Sequence, residues 1–318
     1  MYIKRKAMIK HNDSNKIPFA IDLLCVSFLG GLILIGILLP ERLIGGVDLT
    51  ARIGIAFLAH VAAVWMLRPV EEGHLHATLR VGTLAVLFFF LFDQMQYFQH
   101  VFFSSWFDAD LVRFEQRLIG TQVIILLEDF VHPIITEGMM FAYVAYYPML
   151  LGFAFLCHAS GGNVALHDYL INLLLTLVVC YTGFLLLPIA GPLYFNAGMY
   201  SVPLEGGLFT WCGEWIRNNQ HYPGGSLPSA HCAAATVMLV MLHRYNKAAF
   251  YIALPTIAIL CMATVYGRYH YIWDSIAGIL TALSIVRCSS SFVRFATSLR
   301  VTIRTLTLFA RTTHRTKI

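Results

Sequence analysis

Residues Tyr169–Ala190 read YLINLLLTLVVCYTGFLLLPIA, without one Asp, Glu, Lys, Arg or His. About 20 apolar residues in helical form cross the roughly 30 Å of bilayer hydrocarbon, so this stretch is a membrane-spanning helix. Similar apolar runs lie on both sides of it, at Pro18–Leu39, Ile53–Leu67, Val81–Phe98, Ile135–Cys157, Ala230–Leu242, Ala248–Tyr266 and Tyr271–Val286. The expected fold is an all-α integral membrane protein of about eight transmembrane helices. Ile53–Leu67 and Ala230–Leu242 are its shortest spans.

Composition agrees. Of 318 residues, 58% are hydrophobic and only 12% charged, with a mean hydropathy of +0.69. A soluble domain carries about 25% charged residues, so this chain lacks the charge to cover a water-facing surface. That excludes a cytosolic enzyme and a nucleic-acid binder, and the net charge of +5 reads as loop placement. The seven cysteines form no CxxC or Cys/His metal pattern. Five of them lie inside apolar runs, where a thiol behaves as a small hydrophobe, so neither a disulfide framework nor a metal site is expected. Pro18–Leu39 is too long for a signal-peptide core and reads as an anchored first helix.

With eight spans and both termini cytoplasmic, only Arg42, Arg52, Arg113, Arg117, Arg217 and Arg268 of the 22 basic residues fall outside. The other basic residues are inside, as the positive-inside tendency requires. Two long segments face the exterior. Gln99–Ile134 mixes Phe107, Leu111, Phe114 and Leu118 with charged residues and suits a helix on the membrane surface, a simple lid. Gly191–Ser229 is rich in Gly, Pro and aromatics and suits an ordered loop over a site. From Ser289 onward Arg alternates with Phe, Leu and Val, as in a basic amphipathic helix on anionic headgroups. The expected division is residues 1–134, membrane helices and surface segment; 135–288, a second membrane domain; and 289–318, a basic amphipathic cytoplasmic tail.

Ionisable groups near membrane depth mark function by default, and here they gather at two helix starts on the outer side. One is Gly224-Gly225-Ser226-Leu227-Pro228-Ser229-Ala230-His231; the other is Arg268-Tyr269-His270-Tyr271-Ile272-Trp273-Asp274. A spacing of four places His270 and Asp274 on one helix face. The carboxylate then fixes the imidazole tautomer and leaves the other ring nitrogen free to attack. The same spacing also serves a purely structural His–Asp pair. His231 follows a Gly-Gly turn and a Pro-Ser step at a helix start, where free backbone N–H groups and the positive dipole end bind phosphate. Ser229 either caps that helix or donates to a phosphate oxygen. Arg268 is expected in the turn before the second helix, either reaching over the phosphate or snorkelling to the interface, and His231 is also open to being a core histidine bonded to a neighbouring carbonyl. Glu137 near Tyr143, Tyr146 and Tyr147, and Asp93 with Gln94 and Gln96, are open to a supporting role or to plain interhelical hydrogen bonding.

Pro228-Ser229-Ala230-His231 resembles the Pro-Ser-Gly-His motif of the type 2 phosphatidic acid phosphatase (PAP2) superfamily, and Arg268-x-His270-x-x-x-Asp274 resembles its third motif. The two motifs stand in the family's order, and the resemblance covers roughly Tyr169–Val286. It implies a PAP2-like six-helix core and a phosphoryl transfer in two steps that needs no metal and no cofactor. His270 would be the nucleophile forming a phosphohistidine, Asp274 its orienter, and His231 the general acid and then base. Arg268, Ser229 and Gly225 would bind phosphate, with Glu137 and Tyr194 in support. The chain departs from the lipid phosphatases at Thr264, where they carry an arginine, and at Leu187-Pro188-Ile189-Ala190-Gly191-Pro192-Leu193-Tyr194-Phe195, which lacks the basic first motif. Its Gly-Pro and Arg-x-His-Tyr forms are more similar to inositol phosphorylceramide and sphingomyelin synthases. A phosphodiester carries one less negative charge than a monoester, so fewer cations suffice.

The resemblance implies an enzyme for a membrane lipid phosphate, and the charge asymmetry places its site at the extracytoplasmic face; a positive-inside chain without long insertions fits a bacterial inner membrane, with a eukaryotic secretory membrane as the alternative. The competing class is a transporter with a His/Arg/Asp ion path. Against it, the sequence shows no internal repeat, and its polar residues gather at one surface. An intramembrane serine protease lacks its Gly-x-Ser-Gly context at Ser160-Gly161, and a CDP-alcohol transferase lacks its aspartate cluster.

Overall fold

The computed structural model describes residues 16–70 and 73–315. Lys4, Arg5, Lys6, Lys10 and Lys317, all assigned above to the inner side, lie outside the described residues. Among the described residues the chain is all helical, with no strand. In order the helices are α1 (Lys16–Leu38), α2 (Gly46–Leu67), α3 (His74–Gln94), α4 (Asp108–Ile119), α5 (Val123–Leu126) and α6 (Pro133–Leu186), then α7 (Pro192–Phe195), α8 (Leu208–Gln220), α9 (Ala230–Tyr245), α10 (Lys247–Tyr266) and α11 (Ile272–Arg315).

Among the described residues six helices are long and apolar enough to cross a membrane, namely α1, α2, α3 with the turn that follows it, α6, α10 and α11 as far as Ile303. The chain is an integral membrane protein. Seven of the eight apolar runs fall on helix to within a residue, the run Tyr169–Ala190 does so as far as Leu186, and the two counts differ for two physical reasons. First, α6 has 54 residues, about 80 Å at 1.5 Å per residue, more than twice the hydrocarbon thickness. It breaks at Gly161 and Gly162, the latter at φ 63 and ψ −158, a conformation open to glycine alone. Two expected runs are therefore the arms of one folded helix, and the Tyr169 hydroxyl of the second arm donates to the Leu150 carbonyl of the first at 2.7 Å. Second, α9 has only 16 residues and sits inside the bundle, packed by α6, α10 and α11. Its run Cys232–Met238 is buried without a break, so it needs no lipid-facing surface and carries small residues that let its neighbours approach.

Lipid-facing surface belongs instead to α2 and α10, where Leu58, Trp65, Ile252 and Met262 stand exposed. The expected amphipathic tail from Ser289 is helical and joined to the last span. α11 continues through it, buries Ala296, and sets the Arg300 guanidinium over the Phe19 ring of α1 at 5.2 Å. At the end of the bundle opposite the two motifs, Asp168 of α6 accepts hydrogen bonds from Arg244 and from the Tyr245 hydroxyl of α9.

The start of α9 is wedged against α11. A Cβ on Gly278 would stand 2.4 Å from the Ser229 carbonyl oxygen and 3.2 Å from the Ala233 nitrogen, both backbone atoms that cannot yield. Gly278→Ala is therefore expected to destabilise the protein by about 1–3 kcal/mol, the usual result of overpacking a core, read as a lower melting temperature in detergent. Gly152→Ala on α6, where a Cβ meets nothing within 4 Å, should leave the melting temperature unchanged or raised.

Candidate active site

The two motifs meet at one end of the bundle. Ser229 caps α9, its hydroxyl accepting from the Cys232 N–H at 3.3 Å. Its own N–H donates to the Asp274 carbonyl at 2.9 Å, tying the start of α9 to the first turn of α11. Of the two uses open to Ser229, the structure shows the cap, and its side chain is fully buried.

His270 does not share a helix face with Asp274, because α11 begins at Ile272 and leaves His270 in the turn before it. That turn is set by Thr264, whose carbonyl accepts from both the Tyr269 and His270 N–H groups at 3.0 Å. The link between the pair is also less direct than the spacing implies. His270 Nδ1 is 3.6 Å from Asp274 Oδ2 but 3.2 Å from the Ser226 hydroxyl, which donates to that same Oδ2 at 2.6 Å. Asp274 Oδ2 also accepts the Tyr271 N–H at 3.0 Å, in the manner of a capping-box acid reaching back over its helix start. A hydroxyl has one proton to give. With that proton on Asp274, the Ser226 oxygen accepts from His270 Nδ1–H, and Nε2 is left as the basic nitrogen. Ser226 stands in the quoted GGSLPSAH stretch, but nothing in its spacing marks it as the relay.

His231, in the first turn of α9, brings its ring centroid to 5.8 Å from that of His270. The ring packs among Tyr146, Tyr143 and Tyr147 of α6 at 4.8, 5.4 and 6.5 Å. Tyr143 in turn stacks on Tyr269 at 4.4 Å. A third histidine completes the wall: His221 lies 5.5 Å from the Tyr269 ring, stacks on Tyr194 at 5.4 Å and places Nδ1 3.1 Å from its hydroxyl. Tyr194 thus stands at the rim through His221, a residue that carries no motif signal.

The remaining candidates hold the frame. Arg268 lies in the turn as expected, at φ 65. Its guanidinium donates to Glu128 at 2.8 Å and to the Val202 carbonyl at 2.5 Å, and rests over Tyr200 at 4.2 Å. Burial lowers its proton affinity, and the Glu128 charge opposes this. Burial raises the Glu128 carboxyl, but the Ser201 hydroxyl, the Ser201 and Val202 amides and the Arg268 charge outweigh it and hold it below its ordinary value. Gly225 turns its N–H to the Gln99 side-chain amide, whose oxygen accepts at 3.1 Å with the amide oriented to satisfy both of its ends. Glu137 caps α8, accepting from the N–H groups of Gly207, Phe209 and Thr210 and from the Thr210 hydroxyl, at 2.6–3.0 Å.

The surface segment is more than a lid. α4 exposes Phe114 and Leu118 yet buries Asp108 and Glu115. Asp108 accepts from the Ala190 and Gly191 N–H groups at 2.7 and 3.0 Å and from the Tyr271 hydroxyl at 3.0 Å. It therefore joins α4, the loop after α6 and the residue next to His270. Burial pushes its carboxyl up despite these three donors. Among the described residues no three His, Cys, Asp or Glu side chains converge to hold a metal ion.

A family model described as the PAP2 superfamily matches residues 109–288, more than half of the chain and both motifs. The chain belongs to the PAP2 superfamily. Membership implies an enzyme of phosphatase or phosphotransferase type. No curated protein and no solved structure shows a significant match. The PAP2 match begins in α4, so the helix carrying Glu115 lies inside it, whereas α1, α2 and α3 lie outside.

Two expectations follow from this geometry. Ser226→Ala removes the donor to Asp274 and the acceptor for His270. It should lower kcat by about tenfold to a hundredfold with a smaller change in KM, the cost of a lost orienting hydrogen bond in a buried site. Ser226→Thr, which keeps the hydroxyl, should recover more of the rate. The second expectation concerns His221, whose ring is held well below its ordinary proton affinity by burial first, then by the His270 and Arg217 charges. A depressed histidine is neutral when folded. Its contribution to stability is therefore present above its unfolded pKa, about 6.5, and is lost as pH falls below that value. The melting temperature in detergent should fall between pH 7 and pH 4 by about 3 °C more in the wild type than in His221→Gln.

Proposed function

We propose that this PAP2 protein transfers the phosphoryl group of a membrane lipid phosphate by a metal-independent route through His270, at the extracytoplasmic face. The observation that carries the reading is the hydrogen-bond chain Asp274–Ser226–His270 with the His231 ring 5.8 Å beyond it. His270 Nε2 attacks phosphorus, and the bond from phosphorus to the lipid oxygen breaks. His231 gives its proton to that oxygen, leaving a phosphohistidine and a free lipid alcohol. His231 then takes a proton from water, whose oxygen attacks phosphorus and releases phosphate and His270. Asp274, through Ser226, stabilises the positive charge that develops on the His270 ring. The N–H groups of Ala230 and His231 have no intrahelical acceptor and are proposed to bind the phosphate oxygens, with Arg268 at the rim.

The charge asymmetry of the sequence supports an exterior site with both termini inside. A second reading is transfer to an alcohol acceptor instead of water. It is favoured by the pairing of Arg268 with Glu128 and by the absence of basic residues from Leu187–Phe195, which leave few cations for a dianion.

The purified protein, tested with EDTA present on lipid monophosphates, diphosphates and headgroup phosphodiesters, is expected to form an acid-labile phosphoenzyme that His270→Ala abolishes together with turnover. His231→Ala should lower kcat by about a hundredfold or more, the usual weight of a general acid, and a substrate with a better leaving group should restore part of it. Free phosphate identifies hydrolysis, and a new phosphodiester lipid identifies transfer. Full activity in His270→Ala overturns the mechanism.

A further inference from the structure

Behind His231 lies a cavity of about 130 Å³ between α3, both arms of α6 and the start of α9. One end is bounded by Ala230, His231, Tyr146 and Tyr147, the other by Val81, Ala154 and Leu170. Between them the wall is hydrocarbon and ring, even where tyrosines contribute. Tyr169 spends its hydroxyl on the Leu150 carbonyl at 2.7 Å, and Tyr181 spends its own on the Phe88 carbonyl at 3.1 Å. Both therefore show the cavity only their ring faces. No charged residue lines it. A cavity of this kind stays dry and takes an apolar guest.

We propose that this cavity receives one acyl chain of the lipid whose phosphate is processed at His270, and that α3 sets which chains fit; the inference rests on the proposed reading of the site. Three features support it. The cavity is continuous with the site, because His231 belongs to both. Its α3 wall runs from Val81 to Phe92, a rise of about 16 Å at 1.5 Å per residue. That is half of the roughly 30 Å hydrocarbon layer, the depth of one leaflet. Finally, the wall is asymmetric in origin. The α6 and α9 faces fall within the PAP2 match, whereas Val81, Leu84, Ala85, Phe88, Phe89 and Phe92 come from a helix outside it. Chain selectivity is thus assigned to the part of this protein that the superfamily match does not cover. Phe89 reinforces the mouth, stacking over Tyr147 with ring centroids 6.5 Å apart.

The test uses the full chain in detergent and single-chain glycerol phosphates carrying hexanoyl to octadecanoyl tails. Ala85→Phe fills the cavity from α3. It is expected to lower the ratio of kcat/KM for tetradecanoyl over hexanoyl substrate by about tenfold or more, the scale of discrimination by a hydrophobic pocket. Phe89→Ala opens the mouth and should shift the preference toward longer chains. Leu58→Ala, on the exposed face of α2, should leave the ratio within about twofold. An independent readout needs no turnover: a hexadecanoyl glycerol phosphate with a diazirine at its tail end, photolysed on the wild type, should label α3 and the second arm of α6 around Val81 and Leu170. Labelling of α2 and α10 instead, or a ratio that Ala85→Phe does not move, overturns the proposal. Turnover that ignores His270 while the label still lands in the cavity overturns the catalytic reading alone.

Discussion

Asp274 has no exposure to solvent, and a carboxylate in that position is tolerable only if the protein supplies its donors. It draws them from two places. The Tyr271 N–H comes from its own helix start, and the Ser226 hydroxyl comes from a loop forty-eight positions away in sequence. Meeting that second demand brings the loop, the start of α9 and the His270 turn into register. The backbone bond from the Ser229 N–H to the Asp274 carbonyl fixes the same register again. The chemistry proposed for His270 depends on this, because the hydroxyl that donates to Asp274 Oδ2 also selects the tautomer, while Asp274 Oδ1 is buried without a partner among the described residues.

A second layer keeps the first in place. Asp108, Glu128 and Glu137 are carboxylates whose main partners are backbone N–H groups or an arginine, and each joins segments distant in sequence. They hold the loops over the bundle end by charge-assisted hydrogen bonds, roughly twice as strong as neutral ones. Apolar burial helps only in part: within Gly191–Ser229, which was expected to be loop throughout, α8 forms and packs Phe209 and Ile216 against the core. Below them the order reverses. α9 is packed on all sides, the arms of α6 fold back at a glycine pair, and close approach between helices does the positioning.

The sequence made much of this legible, and its failures have physical reasons. Apolar runs located every spanning helix, since twenty apolar residues have few other fates. The two motifs were found because Gly, Pro, Ser and His side by side at a helix start are rare. What spacing could not reveal was where α11 begins. With His270 one turn inside the helix, Asp274 would reach it directly; with α11 starting at Ile272, the acid reaches it mainly through Ser226. Nor could spacing find Asp108 or Glu128. Their partners are the loop backbone and Arg268, brought close only by the tertiary fold. The family match over residues 109–288 covers both motifs but not α3, whose proposed role rests on shape alone.

The pairing of Arg268 with Glu128 has a further consequence for how such a site recruits its substrate. A guanidinium already balanced by a carboxylate projects little field, so long-range attraction of an anion is weak. What the proposed site would offer a phosphate instead is fixed dipoles, the first-turn N–H groups of α9, which cost no reorganisation as charge develops on the transferring group. Such dipoles act at short range and require the phosphate to be delivered close by other means. A hydrocarbon chain drawn into the cavity behind His231 would do so, because burial of methylenes, about 0.8 kcal/mol each, needs no field and places the headgroup at the depth where the chain ends. On this reading tail and dipole divide the work: the tail provides most of the ground-state binding, and the dipoles are kept for the transition state, the division under which binding energy raises kcat instead of only lowering KM.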